Sequence, residues 1–201
     1  TEQWFDVADE VGQGRCHVKH LALGMVQSSS AEATEAVKAL ASAICLDRNL
    51  EHLTLRMENG FTDEAGVALA QALTVNKTLR IVKVGDTLRP DYLVRNKDKL
   101  GAPAYEALSA MLRVNTSIMV GLPKSSTAGS DERVRDSRRQ MIIEQRLNLV
   151  GRGKLLESSQ NIREEWVNAL NELNVANASP AHIVSCQYSL LRLNPAVVSM
   201  S

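Results

Sequence analysis

A six-residue pattern returns three times in the first 85 residues, and it constrains the fold more than any other feature of the chain. Leu50-Glu51-His52-Leu53-Thr54-Leu55 carries apolar residues at its first, fourth and sixth places. Leu79-Arg80-Ile81-Val82-Lys83-Val84 repeats that spelling, and Val18-Lys19-His20-Leu21-Ala22-Leu23 precedes both. The copies start 32 and then 29 residues apart. A period of that length marks a stack of small supersecondary units.

Each unit also contains a helix-like stretch. Ala39-Leu40-Ala41-Ser42-Ala43-Ile44 leads to Asn49-Leu50, and Ala68-Leu69-Ala70-Gln71-Ala72-Leu73 leads to Asn76 and Leu79. Ala107-Leu108-Ser109-Ala110-Met111-Leu112 leads to Asn115 and Ile118. Apolar residues recur at helical spacing, as in Leu69 with Leu73 and Leu108 with Leu112. The alanines predict helices lying close to their neighbours. Asn76 and Asn115 are expected to end their helices in the left-handed conformation that Asn tolerates. Asn49 is expected to do the same after a two-residue insertion.

One strand and one helix cannot bury their apolar faces alone. Stacked units bury them against each other and build a continuous core. The low aromatic content, 3%, suits such thin layers, which Leu, Val, Ile and Ala must fill.

The stretch from Leu50 to Leu55, through Thr62-Asp63-Glu64-Ala65-Gly66, to Ala72-Leu73-Thr74-Val75-Asn76-Lys77-Thr78-Leu79, resembles the ribonuclease-inhibitor class of leucine-rich repeats. The resemblance covers roughly residues 15–122. It implies an α/β fold: a short, curved solenoid with parallel strands inside and helices outside. Two departures stand out. Asn59 falls one place later than the asparagine usual in that class. The step from Leu79 to Ile118 is 39 residues, with the surplus in Leu88-Arg89-Pro90 through Lys99. That polar surplus reads as a solvent-exposed insertion or as a partner-contacting loop. The last hexad, Ile118-Met119-Val120-Gly121-Leu122-Pro123, reads as a closing edge strand that Pro123 terminates.

The ends divide as follows. Residues 1–14, with Trp4, Phe5 and Val7, form an N-terminal cap on the first unit or an exposed tail. Residues 123–130 are a linker by composition. Residues 131–201 form an α-helical segment. Its first helix starts at Ser130 or Asp131 as N-cap, shares a face among Val134, Met141, Ile142, Gln145 and Leu149, and stops at Gly151 and Gly153. A second helix is expected from Asn161 to Leu173. A third is expected from Pro180 to Leu193, burying Ile183, Tyr188, Leu190 and Leu191. This tail, through Leu147-Asn148-Leu149-Val150-Gly151-Arg152-Gly153-Lys154, Arg163-Glu164-Glu165-Trp166-Val167 and Tyr188-Ser189-Leu190-Leu191-Arg192-Leu193-Asn194-Pro195, is similar to the helical end of short leucine-rich-repeat proteins of diatoms. That similarity implies that the tail belongs to the protein's own architecture, capping the last unit or folding back across the repeats.

Charge and cysteine usage set bounds on partners. Lys plus Arg and Asp plus Glu both total 23, so no overall imbalance demands a nucleic acid or an anionic membrane. No apolar run is long enough for a transmembrane helix, and no signal peptide is visible. The chain begins at Thr1, as a processed form with its targeting segment removed would. Cys16, Cys45 and Cys186 are odd in number and widely spaced, so they read as buried free thiols in a reducing, intracellular compartment rather than as a disulfide framework.

Candidate chemistry is sparse. Gly151-Arg152-Gly153-Lys154 lacks the spacing and the following Ser or Thr of a phosphate loop, and reads as a helix stop with a basic turn. Arg133, Arg135, Arg138, Arg139, Arg146, Arg152 and Lys154 face only Asp136 and Glu144 in residues 133–154. His20 and His52 hold equivalent places in successive strands, but no third metal ligand accompanies them. No catalytic set, cofactor motif or metal site is expected.

The reading is a non-catalytic protein-interaction module, or a scaffold subunit of a larger assembly. Its binding surface is the strand face not needed for the core: His20 and Ala22; His52, Thr54 and Arg56; Ile81, Lys83 and Gly85. Arg56 and Lys83 suit acidic groups on a protein partner. The alternative is a nucleic-acid-associated adaptor that uses the basic patch Arg135, Arg138, Arg139 and Arg146.

Overall fold

The computed structural model describes residues 2–25, 29–57, 61–85, 100–122 and 131–149, with Arg152, Val184, Gln187 and Tyr188. The 88–99 insertion, the 123–130 linker, Asn59, Cys186 and the 161–173 helix expected from sequence lie outside these residues. Two compact units divide the chain, Thr1–Met141 and Ile142–Ser201.

The fold is α/β. In chain order the elements are α1 (Glu2–Gly12), β1 (His20–Met25), α2 (Ser30–Leu46), β2 (His52–Met57), α3 (Asp63–Val75), β3 (Ile81–Gly85), α4 (Ala102–Val114), β4 (Met119–Gly121) and α5 (Glu132–Leu149). The strands form a parallel sheet in the order β1-β2-β3-β4. Helices α1 to α4 likewise pack each on the next. Strand residues Leu53, Leu55, Val82 and Val84 share one buried cluster with Leu40 and Ile44 of α2, Leu69 and Leu73 of α3, and Leu108 and Leu112 of α4. Most parallel sheets are covered on both faces, so their strands read as continuous apolar runs. Here apolar and polar residues alternate, and only one face is buried.

The helix starts are secured locally. Ser29 and Glu32 form a reciprocal capping box at α2: the Ser29 hydroxyl accepts from the Glu32 N–H, and the Glu32 carboxylate accepts from the Ser29 N–H and hydroxyl. Those donors hold the Glu32 carboxyl below its usual range. Thr62 Oγ1 accepts from the Ala65 N–H at the start of α3. Asp63 Oδ1 accepts from the N–H of Gly101, the N-cap of α4. Asp131 Oδ1 accepts from the Arg133 N–H at the start of α5.

The helix ends differ from the sequence expectation. Asn76 and Asn115 are the C-caps of α3 and α4, yet their backbones are at φ −66° and −100°, not left-handed. Their side chains explain the choice of residue. Asn76 Oδ1 accepts from the N–H groups of Thr78 and Leu79, and its Nδ2 donates back to the carbonyls of Ile44 and Asp47. Asn115 Nδ2 donates in the same way to Leu73 O and Asn76 O. The equivalent residue at the end of α2 is Asp47 rather than Asn49. Asp47 Oδ2 accepts from the N–H groups of Asn49 and Leu50, and no two-residue insertion is present.

Three further expectations are corrected. Val18 is 46% exposed, so the first hexad begins outside the core; Leu21 and Leu23 pack against it only in part. In the last hexad, Met119, not Val120, pairs with Ile81, and Val120 pairs with buried Val82. One residue is missing there relative to the earlier units, since Asn115–Ile118 matches Asn76–Leu79 while Arg80 has no counterpart. Tyr188 is 67% exposed with Val184, one turn away on the same helical face, at 63%.

Other expectations resolve in detail. In residues 1–14, Trp4, Ala8 and Val11 of α1 are buried while Phe5 is exposed, and Trp4 Nε1 points at Gly24 O, 3.5 Å away. Cys16 and Cys45 are free but half-buried. In α5, Val134 is half-buried and Met141 buried, both against the core of the first unit. In the second unit Ile143, Glu144 and Leu147 are buried, whereas Leu149 is 60% exposed and Ile142 and Gln145 are intermediate. Val134 and Met141 thus pack inward as expected, Ile142 and Gln145 do so only in part, and Leu149 does not. No described helix is long and apolar enough to cross a membrane.

Candidate interaction face

The alternation along each strand decides which residues face solvent. Leu53 and Leu55 point to the core, so His52, Thr54 and Arg56 point away from it. The register aligns these positions into rows. His20, His52, Ile81 and Met119 form the first; Ala22, Thr54, Lys83 and Gly121 the second; Gly24, Arg56 and Gly85 the third. His20, Ala22, Arg56, Lys83 and Met119 are exposed, and His52, Thr54 and Ile81 half-buried. The structure thus brings all eight residues expected to form the binding surface onto one sheet face.

No acidic residue stands in these rows. Several described cations elsewhere are paired: Arg15 with Glu10, Lys19 with Glu51, Lys38 with Glu35 and Glu64, Arg133 with Glu106. Arg56 and Lys83 make no ion pair or side-chain hydrogen bond among the described residues. The Thr54 hydroxyl makes none either.

Glycines surround the two cations. Arg56 stands between Gly24 and Gly85 in register, and Lys83 between Thr54 and Gly121. A Cβ added at Gly121 would sit 3.5 Å from Lys83 Cγ. Sequence reasoning passed over Gly24, Gly121 and Met119. The signal for Gly24 was its place one step beyond Leu23; the slip in the last hexad hid the other two.

At the start of the strands the imidazoles of His20 and His52 lie with centroids 4.1 Å apart and planes tilted by 59°. The nearby Glu51 carboxyl is held below its usual range chiefly by its hydrogen bond and ion pair with Lys19, and slightly by the two histidines. Lys19 is correspondingly raised. Among the described residues no group of three or more His, Cys, Asp and Glu side chains could hold a metal ion.

The basic patch of α5 is not one open stripe. Arg139 pairs with Asp136, and the neighbouring Arg133 pairs with Glu106 of α4. Arg135 is exposed, while Arg138 and Arg146 are half-buried. In the second unit Arg152 is buried and paired with buried Glu144, so this arginine serves an internal carboxylate.

Compared with protein-family models and with curated proteins, the chain matches none.

Proposed function

We propose that the chain is a non-catalytic interaction module or scaffold subunit, built on a short leucine-rich-repeat solenoid of the ribonuclease-inhibitor class, whose strand face binds a partner protein. The repeated strand–helix units, the parallel register and the Asp47–Asn76–Asn115 series support the repeat reading. In such a solenoid the strands line the concave side. The observation that carries the binding reading is the pairing state of that face: Arg56 and Lys83 are exposed, make no ion pair among the described residues, and have no acidic neighbour in the strand rows. Isolated cations of one sign favour acidic groups on the partner, through both steering and specificity. The fold alone does not name a function; the argument is from these side chains.

The test is affinity capture with wild type, Arg56→Glu and Lys83→Glu, each checked by circular dichroism and thermal melting. Capture of a partner by wild type that drops in both variants, with unchanged melting, is the expected result. Capture that survives both reversals would overturn the strand-face reading.

A further inference from the structure

We propose that Thr54, Arg56 and Lys83 form an oxyanion site that takes the phosphoryl group of a phosphorylated serine or threonine on the partner. The inference rests on the sheet face being the binding surface, and narrows what that surface recognises.

The geometry comes from the register. Thr54 and Lys83 are direct partners on neighbouring strands, about 4.8 Å apart at the backbone. Arg56 follows Thr54 on the same face, about 6.6 Å further along the strand. The register therefore sets a hydroxyl, an ammonium and a guanidinium at neighbouring positions of one sheet face, a spacing that side chains of this length can bridge to one tetrahedral group. None of the three has a side-chain partner among the described residues, so none must be released for binding.

Charge selects the dianion. The strand rows hold two fixed positive charges and no carboxylate. A phosphoryl group carries about −1.5 to −2 at neutral pH and offers three acceptor oxygens. A side-chain carboxylate brings a single charge and two oxygens, leaving one cation unmatched.

The glycines set access. Gly24 and Gly85 flank Arg56, and Gly121 lies beside the Lys83 stem. With no side chain on either register neighbour, Arg56 keeps the planar guanidinium suited to paired, bidentate hydrogen bonds with an oxyanion.

The experiment is a titration of the isotope-labelled full chain with inorganic phosphate, blocked phosphothreonine and acetate at matched ionic strength, followed by amide chemical shifts. Saturable shifts should centre on residues 54–56 and 83–85 for phosphate and phosphothreonine. Arg56→Gln and Lys83→Gln should each weaken both by about tenfold, the loss of one charge-assisted hydrogen bond. Arg80→Gln, which alters an exposed arginine outside the rows, should leave them unchanged. Acetate binding as tight as phosphate, a response to free phosphate but not to phosphothreonine, or shifts indifferent to the Arg56 and Lys83 substitutions would each overturn the proposal. Partner capture that still depends on Arg56 would then keep the interaction face while removing its phosphoryl specificity. The phosphate-to-acetate ratio in wild type decides the matter even if a variant is unstable.

Discussion

The side-chain amide of Asn115 donates to the backbone carbonyl of Asn76 at 2.9 Å, and the side-chain amide of Asn76 donates to that of Asp47 at 3.2 Å. Each helix end is thereby fastened to the helix end before it. The second proton of each amide reaches the carbonyl three residues earlier, Leu73 and Ile44. Helix termini leave carbonyls without intrahelical partners. The series supplies donors to them from the next unit, and the same side chains turn the backbone toward the following strand.

Asn76 is the link on which most depends, being fully buried with its amide engaged at both ends. Asn76→Ala strands two carbonyls and two N–H groups. The expected loss is about 3 kcal/mol, at the upper range for point substitutions. Asn76→Asp should be at least as damaging, since it sets an oxygen against the carbonyls of Ile44 and Asp47. Urea unfolding of the three proteins checks this; an Asn76→Ala midpoint equal to wild type would refute the role.

Asp47 is the exception in the series, and it yields a prediction of opposite sign. Its Oδ2 does the accepting work, but its buried Oδ1 has no hydrogen-bond partner among the described residues. Asp47→Asn retains the acceptor, removes a buried charge and adds the donor that the other members carry. Stability should hold or rise by up to about 1 kcal/mol. Asp47→Ala, which removes the acceptor as well, should lower it. A denaturation midpoint for Asp47→Asn as low as that of Asp47→Ala would show that the carboxylate itself is required.

Much of the strand face was legible because register follows from the hexads: once His52 is aligned with Ile81, the rows follow, and all eight expected residues share the face. What escaped reading was contact between distant positions. Asp47 was missed because the search was for an asparagine in a left-handed turn, whereas the position requires an acceptor for two nearby N–H groups. The pairing of Arg133 escaped because Glu106, 27 residues before it, is invisible to local spacing. The slip at β4 was hidden because Ile118 and Val120 are both buried, so either alignment satisfies the apolar pattern.

Acid should loosen the fold in a way that separates caps from ion pairs. Glu32 is held low by the capping box; Glu51, Glu64 and Glu106 are held low chiefly by hydrogen bonds to Lys19, Lys38 and Arg133. A carboxyl with a lowered folded pKa gives stability that is present above the usual value, 4.5, and is lost as pH falls through the lowered one. Melting temperature should therefore be level near neutrality and fall below about pH 4.5. Glu32→Gln should blunt part of that fall. Added salt should diminish the share owed to the exposed ion pairs and leave the capping share. Lys19 and Lys38 are raised, so their contribution is complete below 10.5 and lost only above it. An acid profile identical in wild type and Glu32→Gln would remove the capping box from the account.

Gly66 decides how closely α3 and α4 can pack. It lies inside α3, where replacing glycine by alanine would ordinarily gain about 1 kcal/mol of helix propensity. Here a Cβ would stand 2.7 Å from Ala104 Cβ and 3.2 Å from Leu100 Cδ2. Ala104 is itself buried, so neither helix can yield without opening the shared core. Overpacking of this kind costs about 1–3 kcal/mol, which outweighs the propensity gain. Gly66→Ala is expected to lower stability by about 1 kcal/mol or more, and Gly66→Val by more. The pair Gly66→Ala with Ala104→Gly should recover part of the loss, because it moves the methyl group from one helix to the other. A double-mutant cycle measured by urea unfolding supplies the coupling. A stabilised Gly66→Ala would mean that helix propensity, and not the approach of Ala104, governs this position.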